Sequence, residues 1–179
     1  LGQSSILIDT ARIYAGGKTE PCVAQALSNS RKSTLSYSVG TKAHPSQVGG
    51  LSKAGIEAQY EASTSAMPNL GIEEYYLHQP DPEHSLLESL KCLHDFHEQG
   101  KISAIGMSNY HASEMERAFA LCREFNLTPP TIFQGLYNPL NRLVEDELLP
   151  ILRKNNCRFV AFNPLAAGLL AGKHTTSDP

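Results

Sequence analysis

Side chains of the kinds that transfer protons or bind polar ligands recur at the ends of short apolar runs in this sequence. Charged and amide groups are costly inside a packed core, so their repeated placement at such ends calls for an explanation. Any one of them, taken alone, is explained by a strand end that reaches solvent. The series as a whole predicts a shared, partly buried pocket. Its members are Asp9, Lys42, His78, Ser108, Asn109 and Gln134.

The apolar runs alternate with longer segments in which apolar residues recur every three or four positions. We predict strands at residues 5–9, 35–41, 75–78, 104–108, 131–135 and 158–162. We predict helices at residues 19–29, 56–67, 86–97, 111–125 and 143–152. This alternation is typical of parallel strands joined by right-handed helical crossovers, in which the carboxyl ends of the strands meet at one rim. Periodicity leaves two architectures open, a doubly wound sheet and a closed barrel.

Composition limits the classes of function. The 179 residues are 41% hydrophobic and show neither an internal repeat nor a linker, which predicts a single domain over residues 1–179. A net charge of -3 without charged runs predicts no binding to nucleic acid, and no apolar stretch approaches the ~20 residues that span a membrane. The four cysteines lie far apart without a C-x-x-C pair, which is typical of reduced thiols in a cytoplasmic protein. His94 and His97 lack a third ligand, so we predict no metal site.

Six short motifs, in order along the chain, resemble those of the aldo-keto reductase superfamily. The motifs are Ile8-Asp9-Thr10-Ala11 followed by Tyr14, Thr41-Lys42-Ala43, Tyr76-Leu77-His78-Gln79-Pro80-Asp81, Gly106-Met107-Ser108-Asn109-Tyr110, Gln134-Gly135-Leu136-Tyr137-Asn138 and Phe162-Asn163-Pro164-Leu165-Ala166-Ala167-Gly168. The last two are most similar to the aflatoxin aldehyde reductase and succinic semialdehyde reductase branch. The likeness runs from Ile6 to Lys173, nearly the whole chain.

The resemblance implies a (β/α)8 TIM barrel, an α/β fold. Such a barrel has eight strands by definition and holds about 250 residues. Only six strands are predicted here, so we expect an incomplete barrel domain, truncated at both ends and lacking its first and last strands. The sequence has no G-x-G-x-x-G motif, which a Rossmann domain needs and the barrels of this family do not.

The resemblance also implies a catalytic tetrad formed by Asp9, Tyr14, Lys42 and His78. In this expectation Tyr14 donates a proton to the oxygen of a carbonyl substrate while a hydride reaches its carbon. The Lys42 ammonium lowers the pKa of the Tyr14 hydroxyl, and Asp9 holds Lys42 in place and keeps it charged. His78 donates a hydrogen bond to the carbonyl oxygen.

The implied cofactor is NADP(H). The resemblance assigns the nicotinamide carboxamide to Ser108, Asn109 and Gln134, with Asp9 nearby, and the nicotinamide ring to Phe162, which stacks on it. The segment that follows Phe162 is expected to wrap the pyrophosphate with its backbone, although Ala167 stands where that branch more often has glycine. The residues of this segment are Asn163, Pro164, Leu165, Ala166, Ala167, Gly168, Leu169, Leu170, Gly172 and Lys173.

The function that these expectations favour is NADPH-dependent reduction of aldehydes and ketones, including reactive aldehydes and dicarbonyls, to alcohols. A cytoplasmic enzyme that binds small carbonyl substrates, without nucleic-acid or membrane partners, fits the composition, and a homodimer is the candidate assembly. Three alternatives stay open. The protein is a biosynthetic reductase of a secondary metabolite, a non-catalytic subunit that senses the cofactor, or an inactive truncated remnant.

Overall fold

The structure, a computed structural model, describes residues 5–28 and 36–172. Its six strands are β1 (Ser5–Asp9), β2 (Ser36–Ala43), β3 (Ile72–Leu77), β4 (Ala104–Ser108), β5 (Ile132–Leu136) and β6 (Arg158–Phe162). Its five α-helices are α1 (Thr19–Ser28), α2 (Lys53–Ala66), α3 (Leu86–Glu98), α4 (Ala112–Glu124) and α5 (Leu148–Lys154). Two short 3-10 helices cover Tyr14–Gly17 and Ala166–Ala171.

The strands form one parallel sheet in the order in which they occur along the chain, from β1 to β6. A doubly wound sheet reverses its strand order at a switch point, and this sheet has no such reversal. Each strand is instead followed by a crossover to its next neighbour, which places the carboxyl ends of all six strands along one rim. This order selects the barrel from the two architectures that periodicity left open.

Two contacts across the inner face show that the sheet is strongly curled. The Gln134 amide on β5 donates to the Asp9 carboxylate on β1 over 2.9 Å. In a flat sheet these strands would lie about 19 Å apart, since neighbouring strands are separated by about 4.8 Å. Arg158 on β6 likewise forms an ion pair with Glu74 on β3. Side chains reach these partners only across a curved interior, so the predicted barrel class is confirmed, with six of its strands present.

The outer face of the sheet carries the apolar core. Tyr75 and Met107 are fully buried there, and Tyr75 contacts the ring of Phe96 on α3 at a centroid distance of 6.2 Å. Helix α3 buries Leu90, Leu93 and Phe96, which recur every three residues along one face, and α4 buries a similar stripe. The helices are therefore held by one amphipathic face each, and the inner face of the sheet is left to the polar residues.

Several predicted bounds differ from the structure, among them the start of α2 at Lys53 and the end of β2 at Ala43, and two of the differences have a visible cause. The helix predicted at residues 143–152 begins only at Leu148, and the Leu143 side chain is 82% exposed. Glu145 accepts hydrogen bonds from the Tyr137 hydroxyl and from Arg142, which hold the preceding residues in turns. Strand β3 begins at Ile72 rather than at residue 75. The prediction started too late because the strand includes two glutamates, which hydropathy does not associate with a strand.

Gly106 on β4 provides a test of packing inside the barrel. A Cβ atom at this position would lie 2.2 Å from the ring of Tyr76, which is itself buried on the neighbouring strand. We expect Gly106→Ala to lower the free energy of unfolding by about 1–3 kcal/mol, because the ring has to move. Gly71→Ala is the matched control, since a Cβ there meets nothing within 4 Å. Urea denaturation of both variants checks this, and equal effects would contradict it.

Candidate active site

The side chain of Lys42 is the most deeply buried charge on the rim, with an exposure of 0%. Its Nζ donates to both carboxylate oxygens of Asp9, over 2.8 and 2.9 Å, and to the carbonyl oxygen of Thr10 over 2.8 Å. An ammonium has three hydrogens to donate, and all three are used here. Asp9 ends β1 and Lys42 lies near the end of β2, so the parallel register of neighbouring strands brings the pair together.

Tyr14 reaches the same rim through the 3-10 turn that follows β1. The turn contains three successive residues with positive φ, of which Gly16 and Gly17 adopt that conformation without strain. The Tyr14 ring centroid lies 5.2 Å from the Lys42 Nζ and 5.7 Å from the His78 ring, which it meets edge-on. The four residues of the predicted tetrad therefore surround one point on the rim.

His78 follows β3 and is fixed from two sides. Its backbone N–H donates to the carbonyl of Ala43 over 2.9 Å, and its ring lies between those of Tyr14 and His44. Burial, followed by the positive charge of Lys42, lowers the pKa of His78 to about 4. The imidazole is therefore neutral near neutral pH and keeps a single N–H with which to donate.

The pKa of Tyr14 shifts in the direction opposite to the one expected from sequence. Burial raises the pKa of its hydroxyl above 10.0, and the negative charge of Asp9 raises it further. Lys42 does not reverse this shift because Asp9 already compensates its charge and accepts two of its hydrogens. In this state of the site Tyr14 is firmly protonated.

The three residues predicted to bind the carboxamide form a polar row beside the tetrad. Ser108 and Gln134 are buried, and Gln134 donates to Asp9 over 2.9 Å. Asn109, at a positive φ of 61°, donates to the carbonyl of His78 over 2.9 Å and to the hydroxyl of Ser108 over 3.0 Å. Hydroxyl and amide groups supply both donors and acceptors, so this row fits a carboxamide.

The segment after β6 exposes its backbone on the same rim. Phe162 ends the strand, and the Asn138 side chain anchors the next residue by donating to the carbonyl of Asn163 over 3.1 Å. Five residues of the segment have positive φ, and the N–H groups of Ala166 and Gly168 close its turns by donating to the carbonyls of Asn163 and Leu165, each over 3.0 Å. The five are Asn163, Ala166, Ala167, Gly168 and Gly172. The N–H of Ala167 likewise donates to the side chain of Asn163, so a pyrophosphate bound by this backbone would have to replace bonds within the segment.

The other residues predicted for this segment add little polar surface. Leu165, Leu169 and Leu170 are exposed, as is Pro164, so any polar ligand here would meet mainly backbone. Ala167 has a φ of 56°, a conformation that glycine adopts without the steric cost that a Cβ brings. The predicted contact of Lys173 lies outside the described residues.

Comparisons with known proteins identify the family of this chain. The family profile described as Aldo/keto reductase family matches residues 2–179. The chain belongs to the aldo/keto reductase family. The Homo sapiens protein named Aldo-keto reductase family 7 member A3 is 37% identical over 171 residues, covering 96% of this chain and 52% of that protein. Aflatoxin B1 aldehyde reductase member 2 of Mus musculus is 36% identical over 171 residues, covering 96% of this chain and 47% of that protein.

A solved structure supports the same family. The glycerol dehydrogenase of Gluconobacter oxydans matches with a TM-score of 0.82 and 30% identity, over 97% of this chain and 54% of that one. The chain spans about half the length of the curated relatives it matches. The family and the fold class that the sequence motifs suggested are therefore both confirmed.

Several residues at or beneath this aldo/keto reductase rim were not predicted from the sequence. His44 contacts His78 edge-on at a ring centroid distance of 5.0 Å, and its position two residues after Lys42 was a signal that could have identified it. Glu20 is fully buried and forms an ion pair with Arg12. An acidic residue near the start of a helix is ordinary, so nothing in the sequence marked Glu20 as buried.

Two other predictions concern features away from the rim. In residues 5–28 and 36–172, no helix combines the length and the apolar character that crossing a bilayer requires. The same residues contain no cluster of three potential metal ligands. The Nδ1 atom of His94 accepts from the backbone N–H of Thr128 over 3.1 Å, which gives this histidine a structural role in joining α3 to the loop after α4.

The depressed pKa of His78 predicts a pH-dependent stability. The ring faces Tyr14, Lys42, His44 and Asp9, and it resists protonation until about pH 4 in the folded protein, against an ordinary value of 6.5. The unfolded chain therefore binds this proton first as the pH falls. The stability that neutral His78 provides is fully present above pH 6.5 and is lost progressively towards pH 4.

Comparison of the protein with its His78→Gln variant tests this prediction. We expect the free energy of unfolding of the unmodified protein to fall more steeply than that of His78→Gln between pH 6.5 and about 4. Urea titrations at several pH values in this range measure the two slopes. Parallel slopes would show that His78 does not titrate with a depressed pKa.

Proposed function

We propose that the protein reduces aldehydes and related reactive carbonyl compounds to alcohols, with NADPH as the reductant and Tyr14 as the proton donor. The observation that carries this proposal is the convergence of Tyr14, His78 and the buried Lys42–Asp9 pair on one rim of a parallel barrel. A row of amide and hydroxyl groups and a segment of left-handed backbone lie on the same rim. Relatives named as aldehyde reductases support the class of substrate.

The bound dinucleotide would supply a hydride to the carbonyl carbon. Ser108, Asn109 and Gln134 would hold its carboxamide, and the backbone around Ala166, Ala167 and Gly168 would bind its pyrophosphate. Phe162, at the end of β6, would stack on the nicotinamide ring. The preference for NADPH over NADH rests on the family.

Tyr14 would give its hydroxyl proton to the carbonyl oxygen. Its raised pKa keeps the proton in place at neutral pH, so the donor is loaded before the substrate arrives. Loss of the proton creates a phenolate 5.2 Å, measured to the ring centroid, from the Lys42 ammonium. That charge stabilises the phenolate, so Lys42 assists after proton transfer begins rather than by acidifying the resting hydroxyl.

His78 would stabilise the charge that develops on the substrate, and Asp9 would keep Lys42 charged. The neutral imidazole of His78 donates a hydrogen bond to the carbonyl oxygen and stabilises the negative charge that develops there. Asp9 keeps Lys42 protonated, since burial alone lowers the pKa of that ammonium. Asp9 also accepts from Gln134, which links the tetrad to the row that would bind the carboxamide.

The free state of the cysteine thiols fits a protein located in the cytoplasm. The four cysteines are free, and three of them are buried, where burial raises the pKa of each thiol. Thiols of this kind are typical of a reducing compartment.

The proposal predicts the effect of removing one hydroxyl. Tyr14→Phe keeps the ring, and we expect it to lower kcat for NADPH-dependent reduction of a simple aldehyde by ~10²–10⁴-fold, because a general acid is lost. The dissociation constant for NADPH should stay unchanged. Both are measured by NADPH absorbance and fluorescence. Tyr60→Phe is the matched control, because the Tyr60 hydroxyl donates only to the carbonyl of Lys101, away from the rim.

The same assay separates the alternatives. Unchanged turnover in Tyr14→Phe would refute the role of this residue. Binding of NADPH without its oxidation, across a panel of aldehydes and ketones, would favour a subunit that senses the cofactor. Absence of both binding and oxidation would favour an inactive remnant.

A further inference from the structure

The carboxylate of Glu20 lies in the interior at the start of α1, with an exposure of 0%. One of its oxygens forms an ion pair with the guanidinium of Arg12, and the other accepts from the hydroxyl of Thr41 over 2.8 Å. A carboxylate without such partners would be strongly disfavoured in this position. Neither Arg12 nor Glu20 belongs to the tetrad or to the residues proposed to bind the cofactor.

The ion pair closes the loop that carries Tyr14. Arg12 precedes Tyr14 by two residues and Glu20 follows it by six, so the whole 3-10 turn lies between the two charges. The guanidinium passes directly against this turn, because a Cβ atom on Gly17 would lie 3.3 Å from Arg12 Nη2. The base of the loop is therefore tied together by the pair.

Thr41, whose hydroxyl donates to Glu20, connects this loop to the strand that carries Lys42. Thr41 immediately precedes Lys42 on β2, and side chains of successive strand residues point to opposite faces. The backbone N–H of Arg12 also donates to the carbonyl of Lys42 over 3.3 Å. The loop is thus fixed to β2 at the Thr41 side chain and at the backbone of Lys42, whose ammonium faces the Tyr14 ring.

Backbone hydrogen bonds from Tyr14 to Ala11 over 3.1 Å and from Gly16 to Ile13 over 3.2 Å shape the turn, but little packs against its tip. Ala15 and Gly16 are exposed, and a Cβ atom on Gly16 would meet nothing within 4 Å. Tyr14 is only partly buried. Apart from the contacts of its ring with His78 and Lys42, its position therefore depends on the anchored ends of the loop.

We propose that Arg12 and Glu20 are positioning residues, which set the placement of Tyr14 relative to Lys42 and His78 through their buried ion pair with its bond to Thr41. This inference rests on the proposed function for its effect on catalysis. Buried ion pairs contribute little net stability compared with apolar residues of the same volume, so geometry is the more direct role for this one. A displacement of about 1 Å in a reacting group is sufficient to reduce turnover by ~10²-fold.

Three variants test the pair as a unit: Arg12→Gln, Glu20→Gln and the double variant. Glu20→Gln removes the charge with little change in side-chain shape, whereas Arg12→Gln removes the charge together with part of the side chain and several of its donors. We expect each single variant to lower kcat for aldehyde reduction by ~10²-fold, with the dissociation constant for NADPH unchanged, and the double variant to lose no more than either single one. Arg12→Lys keeps the charge and should retain most of the activity.

The matched control is Glu57→Gln, which removes a carboxylate from an exposed pair with Lys53 on α2. It should leave kcat unchanged. A loss of activity in the three variants that only follows the fraction of unfolded protein, or effects that add in the double variant, would overturn the proposal. Thr41→Val provides a milder change if a charge-removing variant does not fold, and it should also lower kcat without weakening NADPH binding.

A readout without turnover separates this inference from the proposed function. The protein is labelled with 13C at the tyrosine ring carbon that bears the hydroxyl, and the Tyr14 signal is assigned by its loss in Tyr14→Phe. We expect Glu20→Gln and Arg12→Gln to shift this signal and its titration with pH, whereas Glu57→Gln does not. An unmoved Tyr14 signal would refute the positioning role even in an active enzyme, and a moved signal without any reductase activity would refute the proposed function alone.

Discussion

One buried ammonium determines how this rim is built. Lys42 has no contact with solvent, so each of its three hydrogens needs an acceptor within the protein. Two come from the carboxylate of Asp9 and one from the carbonyl of Thr10, both at the end of β1. This requirement fixes the end of β1 against β2, and with it the start of the loop that returns Tyr14 to the rim. Gln134 then attaches β5 to the same carboxylate across the interior.

The interior beneath Lys42 follows the same rule of complete pairing. The Tyr76 ring lies 5.4 Å from the ammonium, and its hydroxyl donates to Glu74 over 2.5 Å. Glu74 in turn forms an ion pair with Arg158 on β6. A flat sheet would hold Arg158 three strands away from Glu74, whereas a curled sheet brings the two side chains together. The polar inner face and the apolar outer face therefore both favour the barrel.

The sequence predicted the order of elements well, because alternating apolar runs and amphipathic segments depend on local periodicity. Strands β1, β4 and β6 have the predicted bounds. The start of β3 was missed because Glu73 and Glu74 are polar, and the bonds of Glu74 to Tyr76 and to the distant Arg158 explain why it is inside. The start of α5 was misplaced because Glu145 is bonded by residues that precede the helix. The first error reflects a long-range partner, and the second reflects side-chain bonds to Tyr137 and Arg142 that compete locally with the start of a helix.

Most rim residues were predictable because they end apolar runs, and Tyr14 was implied only by the family resemblance, whereas their electrostatic state was not predictable. A sequence shows that a phenol and an ammonium share a site, but the pKa of Tyr14 depends on burial and on how completely Asp9 compensates Lys42. In the structure the ion pair is neutral as a whole, His78 is uncharged and Tyr14 keeps its proton. The site therefore carries almost no net charge at rest. The negative charge that develops on a reduced carbonyl oxygen would then be the first uncompensated charge at the rim, and the His78 N–H and the Tyr14 proton are the groups placed to meet it.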